Sequence, residues 1–145
     1  MPITDGFVLF CDDYRSEVAN KQSIMGFYGP QLHLIDPPEG APLQLGNLSI
    51  ICIVRSEGVD ELKVDFEIEF ENAPIDTMDN VTGNTVISDL PTDRQWSSNF
   101  HVKMGGLPIQ AGMTIKAKFN VNGQAFAASL GITDAPMPQP LVVSG

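Results

Sequence analysis

A ten-residue alternation near the middle of the chain constrains the fold more than any other feature. From Leu62 to Glu71 the even-numbered residues are all apolar, and the odd-numbered residues from Lys63 onward are all charged. A period of two places successive side chains on opposite faces of a β-strand, so this segment predicts a strand with one dry and one wet face. The wet face carries four acids, which we call the acidic stripe: Asp65, Glu67, Glu69 and Glu71.

A second strong signal is a hairpin closed by Asn122 and Gly123. Both central positions of a type I′ turn need a positive φ, and Asn-Gly is the preferred pair there. A two-residue turn at this point fixes the pairing of its strands, Ile115–Val121 and Gln124–Leu130. Three apolar pairs then share one face: Phe119 with Phe126, Ala117 with Ala128, and Ile115 with Leu130.

The remaining strand candidates are short and are separated by Gly, Pro, Asn and Asp signals. They are Phe7–Cys11, Gln22–Tyr28, Gln31–Ile35, Leu48–Val54, Asn84–Ser88 and Phe100–Met104. About nine strands predict an all-β, antiparallel β-sandwich. An immunoglobulin-like form is one version of it, although the Cys-Trp-Cys arrangement of antibody domains is absent. A closed barrel is the alternative. The one helical element that we expect is a short turn near Asp13–Ala19.

The length of 145 residues predicts one domain over residues 1–133, followed by a tail, residues 134–145, with three prolines. We expect that tail to be extended or disordered. The longest apolar runs, FVLF and LSIICIV, are too short to cross a membrane as a helix. The first residues lack a basic leader and a cleavage site, so we expect a cytoplasmic protein without membrane contact.

The net charge of -10 is distributed unevenly. Residues 1–93 sum to -13, whereas residues 94–133 carry four basic side chains and no acid. Nucleic acid is an unlikely partner, because its affinity comes from many Lys and Arg side chains. If their strands pair, four side chains form a basic patch: His101, Lys103, Lys116 and Lys118. The alternative is that the acidic stripe and these basic residues pair across neighbouring strands.

The densest polar cluster follows the first strand. Asp12, Asp13 and Glu17 offer hard oxygen ligands that suit Ca²⁺ or Mg²⁺. The structural alternative is that an Asp caps the loop while Arg15 pairs with Glu17 or an Asp. Neither a nucleophile elbow nor a phosphate loop, dinucleotide fingerprint or zinc motif occurs, so we expect neither catalysis nor a cofactor. We expect Cys11 and Cys52 to be reduced residues of the core, and the alternative is a disulfide bridge between facing strands.

Several strands are apolar on both faces, which indicates coverage by another layer or an exposed interface. We expect coverage for Val8, Phe10, Met25 and Phe27. Ile51 and Ile53 are the pair that we predict to line an interface, because their strand ends in a polar turn. Trp96 stands in a polar stretch and either folds onto the core or serves as a binding anchor.

The stretch CDDYRSE at residues 11–17, with the following NKQSIMGFYG at residues 20–29, resembles a family of small uncharacterised bacterial and phage proteins. That family shares a C-D-D-x-R-x-E signature, an Asn-Gly-Lys turn and a Ser-x-x-Gly-x-Tyr strand. This chain has Asn20-Lys21 with no glycine between them. The resemblance covers about the first 35 residues and implies an all-β cytoplasmic protein. It carries over no catalytic residue.

These observations together predict a non-enzymatic β-sandwich that binds another protein or copies of itself. Such a protein would act as an accessory or inhibitory factor. One alternative is a Ca²⁺- or Mg²⁺-binding module, or a metal-dependent enzyme, that uses Asp12, Asp13 and Glu17. Another alternative is a structural subunit of a phage particle.

Overall fold

The computed structural model describes residues 3–16, 22–34, 43–75 and 78–135. These residues form nine strands and no helix. No described segment is therefore a helix long and apolar enough to cross a membrane. The strands are β1 (Ile3–Ser16), β2 (Gln22–Tyr28), β3 (Gln31–His33), β4 (Leu43–Glu57), β5 (Leu62–Glu71), β6 (Val81–Ile87), β7 (Gln95–Ile109), β8 (Thr114–Val121) and β9 (Gln124–Thr133).

The strands form two sheets, as the β-sandwich prediction requires. Sheet A has the order β2-β1-β4-β7 and sheet B the order β3-β9-β8-β5-β6. All the pairings are antiparallel except β3 with β9, which is parallel. The order β1-β4-β7 corresponds to strands A, B and E of an immunoglobulin sandwich, and β6-β5-β8-β9 corresponds to C′, C, F and G. The described residues contain no counterpart of strand D, and β2 and β3 are additions.

Local sequence signals predicted sheet B well. β5 has the predicted bounds, and Leu62, Val64 and Ile68 are buried, Phe66 packs half-buried against the same core, and the charged residues between them face outward. The β8–β9 hairpin has the predicted register, which includes Phe119 opposite Phe126. Its turn has φ of 49° at Asn122 and 87° at Gly123, as a type I′ turn requires.

β1 is longer than predicted, and the predicted helical turn near Asp13–Ala19 is wrong for residues 13–16. Residues 13–16 continue as strand and pair with β2 from Asp13 opposite Met25 to Ser16 opposite Gln22. Residues 17–19 lie outside the described residues, as do residues 36–42 of the Pro-rich connection and residues 136–145 of the predicted tail.

The main core lies between the sheets, and β1 and β4 contribute to it with one face only. From sheet A, Phe10, Ile50 and Val54 meet the inward side chains of β5, β8 and β9. The opposite face of the same two strands holds a second buried cluster with Cys11 and Ile51 at its centre. A strand that is apolar on both faces therefore contributes to two buried clusters, and for this reason its sequence shows no alternation of apolar and polar residues.

The two cysteines belong to different clusters. Cys52 lies in the main core and Cys11 in the outer cluster, and both thiols are free. The alternative of a bridge between facing strands is therefore wrong. Burial raises the pKa of Cys52 to about 12 and also raises that of Cys11, so both thiols are protonated and packed as small apolar groups.

Candidate functional site

The outer face of sheet B brings the acidic stripe together with two of the predicted basic residues. Lys118 lies directly opposite Glu67, and Lys116 lies opposite Glu69. The Lys116 ammonium reaches along the sheet to Glu71, with an Nζ–Oε1 distance of 2.5 Å. This is the cross-strand pairing that we considered as the alternative to a separate basic patch.

The carboxylates of the stripe also act on one another. A hydrogen bond with Glu67, together with the charge of that side chain, raises the pKa of Glu69. The neighbouring Glu71 carboxylate raises the pKa of Lys116 by holding its ammonium charged. Asn80 donates a hydrogen bond to Glu67 over 3.2 Å. Asp65 stands further along β5, opposite Asn120. These ion pairs and hydrogen bonds partly neutralise the negative charge of the acidic stripe.

The predicted basic patch does not form. β7, which carries His101 and Lys103, belongs to sheet A, whereas β8 with Lys116 and Lys118 belongs to sheet B. The chain changes sheets between β7 and β8, so strands that are adjacent in sequence are not neighbours in a sheet. His101 and Lys103 instead face outward on sheet A, next to the end of β1.

The end of β1 folds over the outer face of sheet A. Tyr14 passes across β4, and its hydroxyl accepts a hydrogen bond from the Asn99 side chain on β7 at 3.0 Å. The Tyr14 ring also lies 4.9 Å from the His101 ring, centroid to centroid. Beneath it Ile51 is fully buried. Ile51 is therefore not available to line an interface, which corrects the prediction for that residue. Ile53 is half-buried at the margin of the same cluster.

Two of the predicted metal ligands, Asp12 and Asp13, are occupied by protein groups. One oxygen of Asp13 accepts from Arg15 at 2.6 Å, and the other lies 3.0 Å from the Lys103 ammonium. These two donors lower the pKa of Asp13 to about 2. Asp12 accepts a hydrogen bond from the Tyr28 hydroxyl, and burial together with this bond raises the pKa of Tyr28.

Two cations already compensate Asp13, so a divalent ion there would have to displace them. Glu17 lies outside the described residues, and within the described ranges no group of three or more potential ligands could hold a metal ion. The structural alternative, in which Arg15 pairs with an Asp, is the arrangement observed.

Trp96 stands alone among the predicted binding residues. It lies near the start of β7, opposite Ser56 on β4, and is 41% exposed. It joins neither the acidic stripe nor the outer cluster of sheet A.

Most of the exposed large apolar side chains that the structure describes lie on the first two strands. Phe7, Ile24, Met25 and Phe27 are four of the seven exposed large apolar residues in the described chain, and we call them the β1–β2 corner. Phe27 is 65% exposed and Phe7 53%. We predicted coverage for Met25 and Phe27, which is wrong because both lie on the outermost strand. The same prediction is confirmed for Phe10, which is buried, and for Val8, which is half-buried against the main core.

A groove of about 350 Å³ runs beside this corner. Its lining includes Val8, Phe10, Phe27 and Tyr28 from β1 and β2, and Ala128 from β9. Phe7 was not among the predicted interface residues. The apolar run Phe7–Phe10 was the available signal, because a run of this kind must send two of its side chains away from the core.

No protein-family model and no curated protein matches the chain. The resemblance of the N-terminal signature therefore stays a prediction. Four side chains of that signature have a structural role here, because Asp12, Asp13, Arg15 and Tyr28 bond to one another or to Lys103.

Proposed function

We propose that this protein is a protein-binding β-sandwich and that the β1–β2 corner is its contact surface. The observation that carries the proposal is the concentration of exposed large apolar side chains on two neighbouring strands. Scattered apolar residues are normal on a protein surface, whereas neighbouring exposed ones are typical of an interaction site. Met25 and Phe27 are such neighbours, because residues two apart on a strand share one face. The free, buried cysteines support our further proposal that it acts in a reducing compartment, the cytoplasm.

The chemistry of the corner fits a protein partner. Its core is apolar and aromatic, and a Met lies beside a Phe, as in the centres of protein interfaces. Polar and paired groups surround it, including Asp12 with Tyr28 and Asp13 with Arg15. Such a margin excludes water from the contact and sets its orientation.

The basic residues support a protein partner over a nucleic acid. Lys103 and Lys116 each lie within 3.0 Å of a carboxylate oxygen. Lysines that are already paired release fewer counterions when they meet a phosphate backbone. We therefore assign the binding energy to the apolar side chains of the corner.

Cross-linking in the native host tests the proposal. Wild type, Phe27→Asp and Val86→Asp would be compared for the amount of cross-linked complex, whether with another protein or with a second copy. Val86 is the matched control, since it is an apolar residue that is 54% exposed on the opposite edge strand, β6. We expect at least a ~10-fold loss for Phe27→Asp alone. Equal recovery from all three chains, or a loss only with Val86→Asp, would refute the β1–β2 corner as the surface.

A further inference from the structure

The outer edge of β2 is an unpaired strand edge in the part of the chain that the structure describes. β2 is the last strand of sheet A, and no described strand pairs with its second edge. Gln22–Tyr28 contains no charge and no proline, although natural sheets normally protect an edge with Lys, Pro or a covering segment. Of the other edge strands, β7 carries Lys103 and Pro108 and β3 has only three residues. The edge strand β6 also lacks a charge and a proline, but it has the polar residues Thr82, Asn84 and Thr85 between its apolar ones, whereas the middle of β2 is apolar.

We propose that the occupant of this edge is a second copy of the same chain, paired antiparallel through β2 so that the two A sheets become one eight-stranded sheet. The inference rests on the proposed function and names its partner. A two-fold axis brings the same surface from both copies together, so the strand must be complementary to itself.

The sequence of β2 is self-complementary about Gly26. Antiparallel pairing centred there sets Met25 against the partner's Phe27 and Ile24 against the partner's Tyr28, and each pair occurs twice. Met with Phe is a favourable sulfur–aromatic contact. A centre at Met25 would instead set Phe27 against Ser23 and Ile24 against Gly26, so the hydrophobic pattern selects Gly26.

Gly26 also suits the centre for steric reasons. Its φ is 67°, and a Cβ at this position would overlap the Asp12 carboxylate. Two facing glycines let the strands approach closely, without side chains between them. No other residue type meets both conditions.

The exposed area of β2 supplies much of what a dimer needs. At ~150–250 Å² for each fully exposed large side chain, the exposed fractions of Ile24, Met25 and Phe27 amount to about 300 Å² of apolar surface per copy. A standard interface buries about 800 Å² per partner, of which roughly 56–65% is apolar. β2 thus supplies more than half of the apolar part, and the backbone edge and its polar margin contribute the polar part.

Charge does not oppose the contact despite the net charge of -10 per copy. The acidic stripe lies on the outer face of sheet B, in the layer turned away from sheet A. The acids on β1 beside β2 are Asp12, which binds Tyr28, and Asp13, which lies between Arg15 and Lys103. The unpaired acidic charges of the two copies are therefore remote from the proposed β2–β2 contact.

Register-specific cross-linking of the full chain tests the inference. Directly opposed residues of antiparallel strands have Cα atoms about 4.5–5.5 Å apart, within disulfide range. The same position on both copies would be separated by more than about 7 Å. Mixing M25C with F27C chains under mild oxidation should therefore give at least ~10-fold more covalent dimer than either chain alone. The native cysteines are buried, and a mixture of M25C with V86C is the control.

Sedimentation of wild type and M25K over a concentration series provides the second measurement. We expect a wild-type dimer and at least a ~10-fold weaker association for M25K. Wild type that stays monomeric to millimolar concentration, or M25C–F27C cross-linking no greater than the control, overturns the inference. If Phe27→Asp still abolishes cross-linking to a different protein in the host, the proposed function stands without the dimer. If that loss is absent as well, both fail.

Discussion

Replacing Tyr14 by alanine removes the cover of the outer cluster on sheet A. Tyr14 is 6% exposed, so truncation loses the burial of nearly a whole aromatic side chain. At ~25 cal/mol per Å² and about 200 Å², the loss is about 5 kcal/mol. Residual compactness of the unfolded chain reduces it to about 3–4 kcal/mol. This is a large part of the 5–15 kcal/mol that is typical of a domain.

Tyr14→Phe distinguishes the contribution of the aromatic ring to stability from that of the hydroxyl. It removes only the hydrogen bond from Asn99, so we expect a loss of about 0.5–1.5 kcal/mol. Urea unfolding of wild type and the two variants measures both values, since a shift of the midpoint at constant slope reports stability alone.

The thiol of Cys11 provides a local readout of the same cover. Cys11 is fully buried beside Tyr14 and Ile51, and burial is the main cause of its raised pKa. We expect Tyr14→Ala to increase the rate of thiol labelling at Cys11 at least ~10-fold in native buffer, because the thiolate becomes solvated. Peptide mapping distinguishes it from Cys52, whose labelling reports global unfolding. An unchanged labelling rate together with a stability change below about 0.5 kcal/mol would contradict the role of Tyr14.

Three further changes test separate features. Arg15→Met should flatten the loss of stability in acid, because the pKa of Asp13, about 2, lies below its ordinary value. Stability from this group is present above about pH 4 and lost as pH falls toward 2, which melting temperatures from pH 2 to 5 would show. Gly83→Ala should cost about 1–3 kcal/mol in urea unfolding, because its Cβ would lie 2.5 Å from the Phe66 ring. Asn122→Ala should cost about 1–3 kcal/mol, since φ is 49° and two hydrogen bonds are lost.

Each change has a matched control in the chain. Lys103→Met removes the second donor to Asp13 and should flatten the acid transition in the same direction. Gly46→Ala meets no atom within 4 Å and should be close to neutral. Asn122→Gly keeps the backbone conformation, so it isolates the two hydrogen bonds. An equal cost for Gly46→Ala and Gly83→Ala would argue against the steric explanation.

The parts of the fold that sequence predicted are those specified by local patterns. The alternation of β5 and the Asn122-Gly123 turn need only a few neighbouring residues, and the structure confirms both. The assignment of faces in β1 and β4 needs more, because an apolar run such as Phe7–Phe10 has no polar residue to mark its outer side. Which layer covers each face depends on the tertiary packing of the two sheets, not on the local sequence.

The errors in the candidate site have the same origin. The basic patch assumed that β7 and β8 pair because they are consecutive, whereas residues 110–113 carry the chain from one sheet to the other. Ile51 was predicted to face outward from the main core, and it does, but Tyr14 closes over it. Nothing in the local sequence indicates that a side chain 37 positions earlier provides that cover.

The order of strands in the sheets also determines when the protein can fold during synthesis. β1 and β4 pair early in the chain, but the face they bury meets β8 and β9, which are made last. About 75 residues separate the end of β4 from the end of β9, which at 5–20 residues per second takes about 4–15 s. Throughout that interval the nascent chain presents two long apolar strands to other ribosome-bound copies. Synthesis rate and chaperone access should therefore govern the yield of this protein more strongly than its final stability does.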